Sequence, residues 1–338
     1  MPKVLDQKLA EIHADPSGSK AFLLADAKDA DMAFGMAAPG TRSNGSSKTL
    51  ADYRNAIRAV VRQGLVDLVL MSASSVEQIV IKEGLFRDSP VTPAGRANDT
   101  TDIWIIRGSH YAATPSRPFR SATLDHLKHG QLVDDPAAPG PGVDLGLYSL
   151  TFSGDTEADL RTLEAFAAFR LEAEQKGFRY FLEVFNPNVA GSVPDSEFGG
   201  FLNDHIARSL AGVTSVGRPL FLKIPYNGPA ALEELVAYDP HLVVGVLGGS
   251  AGTSRDAFQL IAEARRYGAR IALLGRKINA AEDQLAFIEH LRSVADGNAS
   301  PSEAVRSYHG HLQTAGVAPH RSLEDDLMIT NTALSYSA

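Results

Sequence analysis

Short apolar runs recur along the chain and alternate with stretches whose apolar residues return every three or four positions. The runs lie at 21–26 (AFLLAD), 66–71 (VDLVLM), 91–94 (VTPA), 143–150 (VDLGLYSL), 180–185 (YFLEVF), 220–224 (LFLKI), 242–247 (LVVGVL) and 270–274 (RIALL). Near-continuous apolar runs of this length read as strands buried on both faces, which points to a parallel sheet. Between them, 50–63 places Leu50, Ile57, Val60 and Val61 on one helical stripe. Thr156 reads as the cap of a helix over 157–176, with Leu160, Leu163, Phe166, Phe169 and Leu171 facing in and Gly177 as its stop. The stretch 254–267 repeats the pattern with Phe258, Ile261 and Ala262, and 197–210 and 229–237 are shorter versions. Strand followed by helix with short joins is the βα unit. Eight units at this length predict a closed (β/α)8 TIM barrel, an α/β fold, rather than an open sheet.

Two segments exceed the minimal unit. The Gly/Ser/Pro-rich stretch 35–48 follows the first run, where loops shape the functional face of a barrel. The stretch 95–141 follows the third run, carries Arg96, Asn98, Asp99, His110, Arg117 and Arg120, and ends in DDPAAPGPG. It reads as an extended active-site loop after strand 3, and equally as a surface insertion. The whole chain, 1–338, reads as one barrel domain with its core at about 21–290 and a C-terminal helical tail at 300–338. The tail holds one helix and a turn capped by Ser322, placed under the barrel or against a second subunit.

Composition narrows the partners. Lys and Arg number 32 against 40 Asp and Glu, a net charge of −8 without a block of like charges, so nucleic acid is not an expected partner. Cysteine is absent, which removes disulfides, thiolate metal sites and Cys nucleophiles and suits the cytoplasm. The N-terminal MPKVLDQKLAEIHADP lacks the apolar stretch of a secretory signal, and no run is long enough to span a membrane. The ten His residues include two close pairs, His126/His129 and His309/His311, neither with the carboxylates of a metal motif, and both read as surface residues.

The candidate chemistry sits at the ends of the later runs. Lys223 lies inside LFLKI and is followed at once by Pro225, Tyr226, Asn227 and Gly228, a sharp turn on the functional face. Desolvation favours a neutral amine, and a neutral amine attacks carbonyls; the same residue also fits a strand-end lysine reaching to solvent. Glu183 lies inside YFLEVF, placed for proton transfer or for a structural ion pair, with Lys223 as one partner. Asp26 closes the first run and Lys28 follows two residues on, the two sharing a strand face either as functional groups or as a salt-bridged strand end. GGSAGT at 248–253 and GRK at 275–277 follow the seventh and eighth runs, where barrels hold phosphates through Gly backbone N–H groups and a helix N-terminus, with Arg276 as the planar cation.

These residues resemble a known family. LFLKIPYNG, GGSAGT and ALLGRKI are similar to the class I, Schiff-base aldolases of the TIM-barrel type, which include archaeal-type fructose-bisphosphate and tagatose-bisphosphate aldolases. LGLYSLTFSGDTEADLRTLEAF resembles the strand-four segment of the archaeal type, and the resemblance covers about 21–278. It implies that Lys223 forms the Schiff base and that Gly249, Ser250, Gly275 and Arg276 bind a substrate phosphate. It also implies that Asp26 lies near the substrate. Lys28 and Arg96 join the expected substrate-binding set, and Tyr226, at the turn after Lys223, fits either assistance to the catalytic residues or plain packing. The archaeal type uses a strand-five Tyr where this chain has Phe185, whereas Glu183 matches the strand-five Glu of the tagatose branch. That branch's strand-four Lys has no counterpart within 143–152, and RANDTTDIW at 96–104 matches neither branch. The expectation is a lyase that makes or breaks a C–C bond in a phosphorylated ketose through Lys223, with Glu183 and then Asp26 as proton carriers, using no metal or other cofactor. A sugar-phosphate substrate and a homo-oligomer are the expected partners. The alternatives are a sugar-phosphate isomerase or acyl transferase on the same scaffold, and a non-catalytic sugar-phosphate-binding protein.

Overall fold

The computed structural model describes residues 2–42, 45–249 and 252–337. Eight parallel strands form the barrel: β1 (Leu23–Lys28), β2 (Leu68–Met71), β3 (Thr92–Arg96), β4 (Leu145–Thr151), β5 (Arg179–Phe185), β6 (Leu222–Lys223), β7 (Gly245–Leu247) and β8 (Ile271–Leu274). Neighbours in sequence are neighbours in space, and β1 pairs with both β2 and β8. The ring closes between β6 and β7 through Leu222 N–H to Val243 O, Ile224 N–H to Gly245 O and Leu247 N–H to Ile224 O, all at 2.8–2.9 Å. The fold is an α/β TIM barrel.

The strand pleat sorts side chains into two cores. Leu23, Ala25, Leu70, Leu147, Phe181, Phe221 and Leu273 point into the barrel, while Leu24, Val69, Leu182, Val246 and Leu274 point out to the helices. The N-terminal helix Val4–Ala14 inserts Leu5, Leu9 and Ile12 into the inner core. Lys3 Nζ donates to Phe86 O, Ser89 O and Val91 O, which fixes this helix under the strand N-termini. Among the described residues, the barrel interior therefore opens at the opposite mouth.

The helices follow the expected order with shifts at their ends. Leu50–Gln63 is helical, but Leu50 overhangs its first turn and is 41% exposed, so Tyr53 takes its place in the buried stripe. The helix after β4 runs Thr156–Gln175 and is capped one residue earlier than expected, by Asp155, whose carboxylate accepts from Ala158 N–H. Its buried face is Thr162, Phe166, Phe169 and Ala173, and Leu160 and Leu171 face outward instead. Those two project from roughly the opposite side of the helix to Phe166 and Phe169, so a stripe drawn through every Leu is too wide.

The stretch after β3 is ordered by polar anchors. A two-stranded ribbon pairs Asp99 and Thr100 with Phe119 and Pro118. Asp102 accepts from Ser116 Oγ and from Thr151 Oγ1 at the end of β4, both at 2.8 Å. The short helix Leu124–His129 then returns the chain to the barrel wall. At the other terminus, helix Pro301–Ala315 packs Val305, Tyr308 and Leu312 against the outer core. Residues 322–332 cross the N-terminus of helix Ser254–Arg266. There Asp326 accepts from Ser254 N–H at 2.7 Å, and Asp256 accepts from Thr330 N–H, Thr330 Oγ1–H and Asn331 N–H. The tail thus lies along the flank of the barrel up to its mouth.

Candidate active site

Inward-pointing positions of β3, β4, β5 and β6 carry Arg96, Ser149, Glu183 and Lys223, each one pleat beyond an apolar inner-core residue. Sheet register places Ser149 opposite Glu183 and Glu183 opposite Lys223. Lys223 Nζ lies 2.5 Å from Glu183 Oε1, and Glu183 is 2% exposed. The other carboxylate oxygen accepts from Ser149 Oγ at 2.7 Å and has Arg96 at 3.9 Å. Arg96 donates to Asp29 Oδ2 at 2.7 Å, to Ser149 Oγ at 3.1 Å and to Asn98 O at 2.9 Å. Asn98 in turn holds the Ser149 backbone through both amide atoms.

The result is a buried row of alternating charge, Asp29, Arg96, Glu183, Lys223. Burial opposes the Arg96 charge, but Asp29 and Glu183 together outweigh it and hold its pKa above the ordinary value. A row of this kind is tolerable only when every charge meets its opposite and remaining donors are used, and Arg96 meets that condition on all three nitrogens.

The row forms one side of a cavity of about 160 Å³ at the mouth of the barrel. Its remaining walls are Phe34 from the loop after β1, Ile103 and Ile105 from the stretch after β3, Phe185, Gly248, Gly275 and Arg276. Gly275 is required where β8 leaves the barrel, because a Cβ there would lie 2.5 Å from Ala27 O. Arg276 follows it, with its guanidinium over the Phe34 ring at 5.6 Å. Burial lowers the Arg276 pKa from its ordinary value, offset in part by Glu183 and Asp29.

Behind the β7 turn lies a second space of about 480 Å³, lined by Gly248, Gly249, Gly252, Asp256, Arg276, Lys277 and Thr330 among others. The N-terminus of helix Ser254–Arg266 faces protein carboxylates here: Ser254 N–H donates to Asp326 and Thr253 N–H to Asp256. Lys277 Nζ donates to Gly252 O.

No family model matches the chain, and no curated protein matches it. Solved structures do. An archaeal fructose-1,6-bisphosphate aldolase, with its catalytic Lys covalently bound to the carbinolamine intermediate of the substrate, superposes with a TM-score of 0.61 at 16% identity. That match covers 86% of this chain and 100% of that one. The fructose-bisphosphate aldolase from Slackia heliotrinireducens gives a TM-score of 0.63 at 12% identity, over 90% and 91% of the two chains. Cgl0159 from Corynebacterium glutamicum gives 0.55 at 17% identity, over 87% and 97%. The likeness is one of fold.

Of the residues singled out in the sequence, Lys223, Glu183, Arg96, Gly275 and Arg276 line one cavity, and Gly249 lines the adjoining space. Ser250 lies outside the described residues. Asp26 and Lys28 do share a face, but it is the wrong one for contact with this cavity: Leu23 and Ala25 point inward, so 24, 26 and 28 point to the helices. Lys28 Nζ donates to Gln284 Oε1 at 2.9 Å and sits over the Tyr53 ring. Tyr226 is buried among the outer-core residues and does not line the cavity. His309 is not a bare surface residue, since its Nε2 lies 3.0 Å from Asp326.

Asp29, Ser149 and Asn98 belong to the site as much as the residues named in advance. The pleat carried the signal for Ser149, two positions beyond the inward Leu147, and for Asp29, two beyond the inward-facing Ala27. Ile103 and Ile105 had no such signal, because no periodicity places an irregular loop.

Proposed function

We propose that the protein is a class I aldolase acting on a phosphorylated ketose, with Lys223 as Schiff-base nucleophile and Glu183 as its acid/base partner. The observation that carries this reading is the 2.5 Å contact between Lys223 Nζ and Glu183 Oε1 at the edge of an accessible cavity.

Glu183 takes a proton from the Lys223 ammonium, and the free amine adds to the substrate ketone. Loss of water, with Glu183 returning a proton to the departing oxygen, leaves an iminium. In cleavage, Glu183 removes the proton of the hydroxyl on the β carbon. The C–C bond then breaks with its electrons entering the iminium, which becomes an enamine, and an aldehyde leaves. Protonation of the enamine and addition of water release the ketone fragment and restore the amine. Ser149 and Arg96 hold the second oxygen of Glu183, so the oxygen facing Lys223 stays aligned through these transfers.

Arg276, with the backbone at Gly248 and Gly275 beside it in the cavity wall, would receive the substrate phosphate. The helix N-terminus usual at such sites contributes little, since its first donors already serve Asp256 and Asp326. A non-catalytic binding protein would keep the glycine turns but has no use for an acid–amine pair at the cavity edge.

The test is borohydride reduction in the presence of a panel of phosphorylated ketoses, followed by peptide mass mapping. The expected result is one adduct on the peptide containing Lys223. A ketose that is turned over yet never trapped would remove the Schiff base and favour isomerase or acyl-transfer chemistry.

A further inference from the structure

The charges that face the cavity can be paired off. Asp29 answers Arg96 at 2.7 Å, and Glu183 answers Lys223 at 2.5 Å. The remaining charged lining residue is Arg276, which makes no ion pair or hydrogen bond among the described residues and rests on the face of Phe34. The lining therefore offers one cation without a direct ion-pair partner among the described residues.

The wall contributed by the stretch after β3 has a different chemistry. Ile103 and Ile105 bring no donor to the cavity from their side chains. They are held there by Asp102, which is 7% exposed and ties their strand of chain to Ser116 and to Thr151 at the end of β4. This apolar wall is thus anchored to the end of β4 through the residue that precedes Ile103.

We infer that the substrate carries a single phosphate, bound at Arg276, and that the lining, with Ile103 and Ile105 in place of a second cation, selects against ketoses that carry a second phosphate. The inference rests on the aldolase reading and sharpens its substrate class. A phosphate dianion set against Ile103 and Ile105 would lose its water and gain neither a cation nor a hydrogen-bond donor from them, a large penalty for a doubly charged group. Selection of this kind works by withholding a partner from the wrong ligand.

The experiment compares a ketohexose 1-phosphate, the matching 6-phosphate and the 1,6-bisphosphate, each read by kcat/KM for cleavage and by borohydride labelling of the Lys223 peptide. One monophosphate should exceed the bisphosphate by at least about a hundredfold in both readouts. Ile105→Arg, a change at a half-exposed loop position, should raise the ratio of bisphosphate to monophosphate kcat/KM by at least about tenfold, because it supplies the missing cation. Labelling by the bisphosphate as efficient as by either monophosphate would overturn the inference and leave the Schiff base standing. So would an unchanged ratio in an Ile105→Arg protein whose thermal melt matches wild type. Absence of label on Lys223 with all three sugars would instead overturn the aldolase reading, and this inference with it.

Discussion

Two buried carboxylate–lysine pairs stand at the mouth end of this barrel, and they differ in the face of the strand they occupy. Glu183 and Lys223 sit on neighbouring strands, point inward and reach a cavity. Asp26 and Lys28 sit on one strand, point outward and are sealed at 0% exposure between the barrel and its helices. The outer pair is the more deeply buried and has the poorer geometry. Its atoms are 3.4 Å apart, and neither Asp26 oxygen has a hydrogen-bond partner among the described residues. Burial raises the Asp26 pKa to about 6, against the opposing pull of Lys28, and burial lowers that of Lys28. A perturbed buried acid is thus a poor marker of chemistry on its own. What separates the pairs is access: the inner one can meet a ligand and the outer one cannot.

Substitutions should divide along the same line. Lys223→Met should reduce turnover by at least about a thousandfold and abolish borohydride labelling, because among the described residues no other lysine lines the cavity. Glu183→Gln should slow turnover by about 10²–10⁴-fold while some labelling persists, since the amine remains and only its proton partner is lost. Steady-state rates with mass mapping check both, and equal loss of labelling in the two variants would erase the proposed division of labour.

The outer pair should answer in stability instead. Lys28→Met leaves the Asp26 carboxylate buried and unpaired and should cost about 3–5 kcal/mol in denaturant unfolding, with much of that restored in the Lys28→Met/Asp26→Leu double variant. A fall in kcat per folded molecule comparable to that of Glu183→Gln would return Lys28 to the site.

The smallest effect concerns pH. Asp26 has a folded-state pKa of about 6 against an ordinary value near 3.8, so the folded state holds a proton that the unfolded chain releases in that window. Its contribution is fully present below about pH 3.8 and is lost as pH rises through about 6. The stability of wild type relative to Asp26→Asn should therefore fall by up to about 3 kcal/mol between those limits. Paired urea titrations across pH 4–7 measure it, and a constant difference would show that Asp26 does not titrate there.

The barrel was legible because each strand is an apolar run and each helix an apolar stripe, two patterns set by backbone geometry alone. The assignment of Lys223, Glu183 and Arg276 to the mouth followed from their place at strand ends. Asp26 misled because strand-end position was used without the pleat: Leu24 and Asp26 share a face, and Leu24 faces the helices. The closing of the mouth by Ile103 and Ile105 was beyond reach, since it depends on where Asp102 finds Ser116 and Thr151, contacts 14 and 49 residues away.

The docking of residues 322–332 at the mouth bears on the order in which the molecule is made. Ribosomal synthesis delivers the helix that seals the bottom of the barrel first and this segment after all eight strands. Until it arrives, Ser254 N–H lacks Asp326 and Asp256 lacks the donors of Thr330 and Asn331. The helix behind the β7 turn therefore begins life held by its Thr253/Asp256 capping box alone, with Ser254 N–H left to water, and Gly248 and Gly249 border a more open groove. A nascent chain paused before residue 322 would hold a complete ring of strands with Lys223 and Glu183 already in register, yet an unfinished mouth.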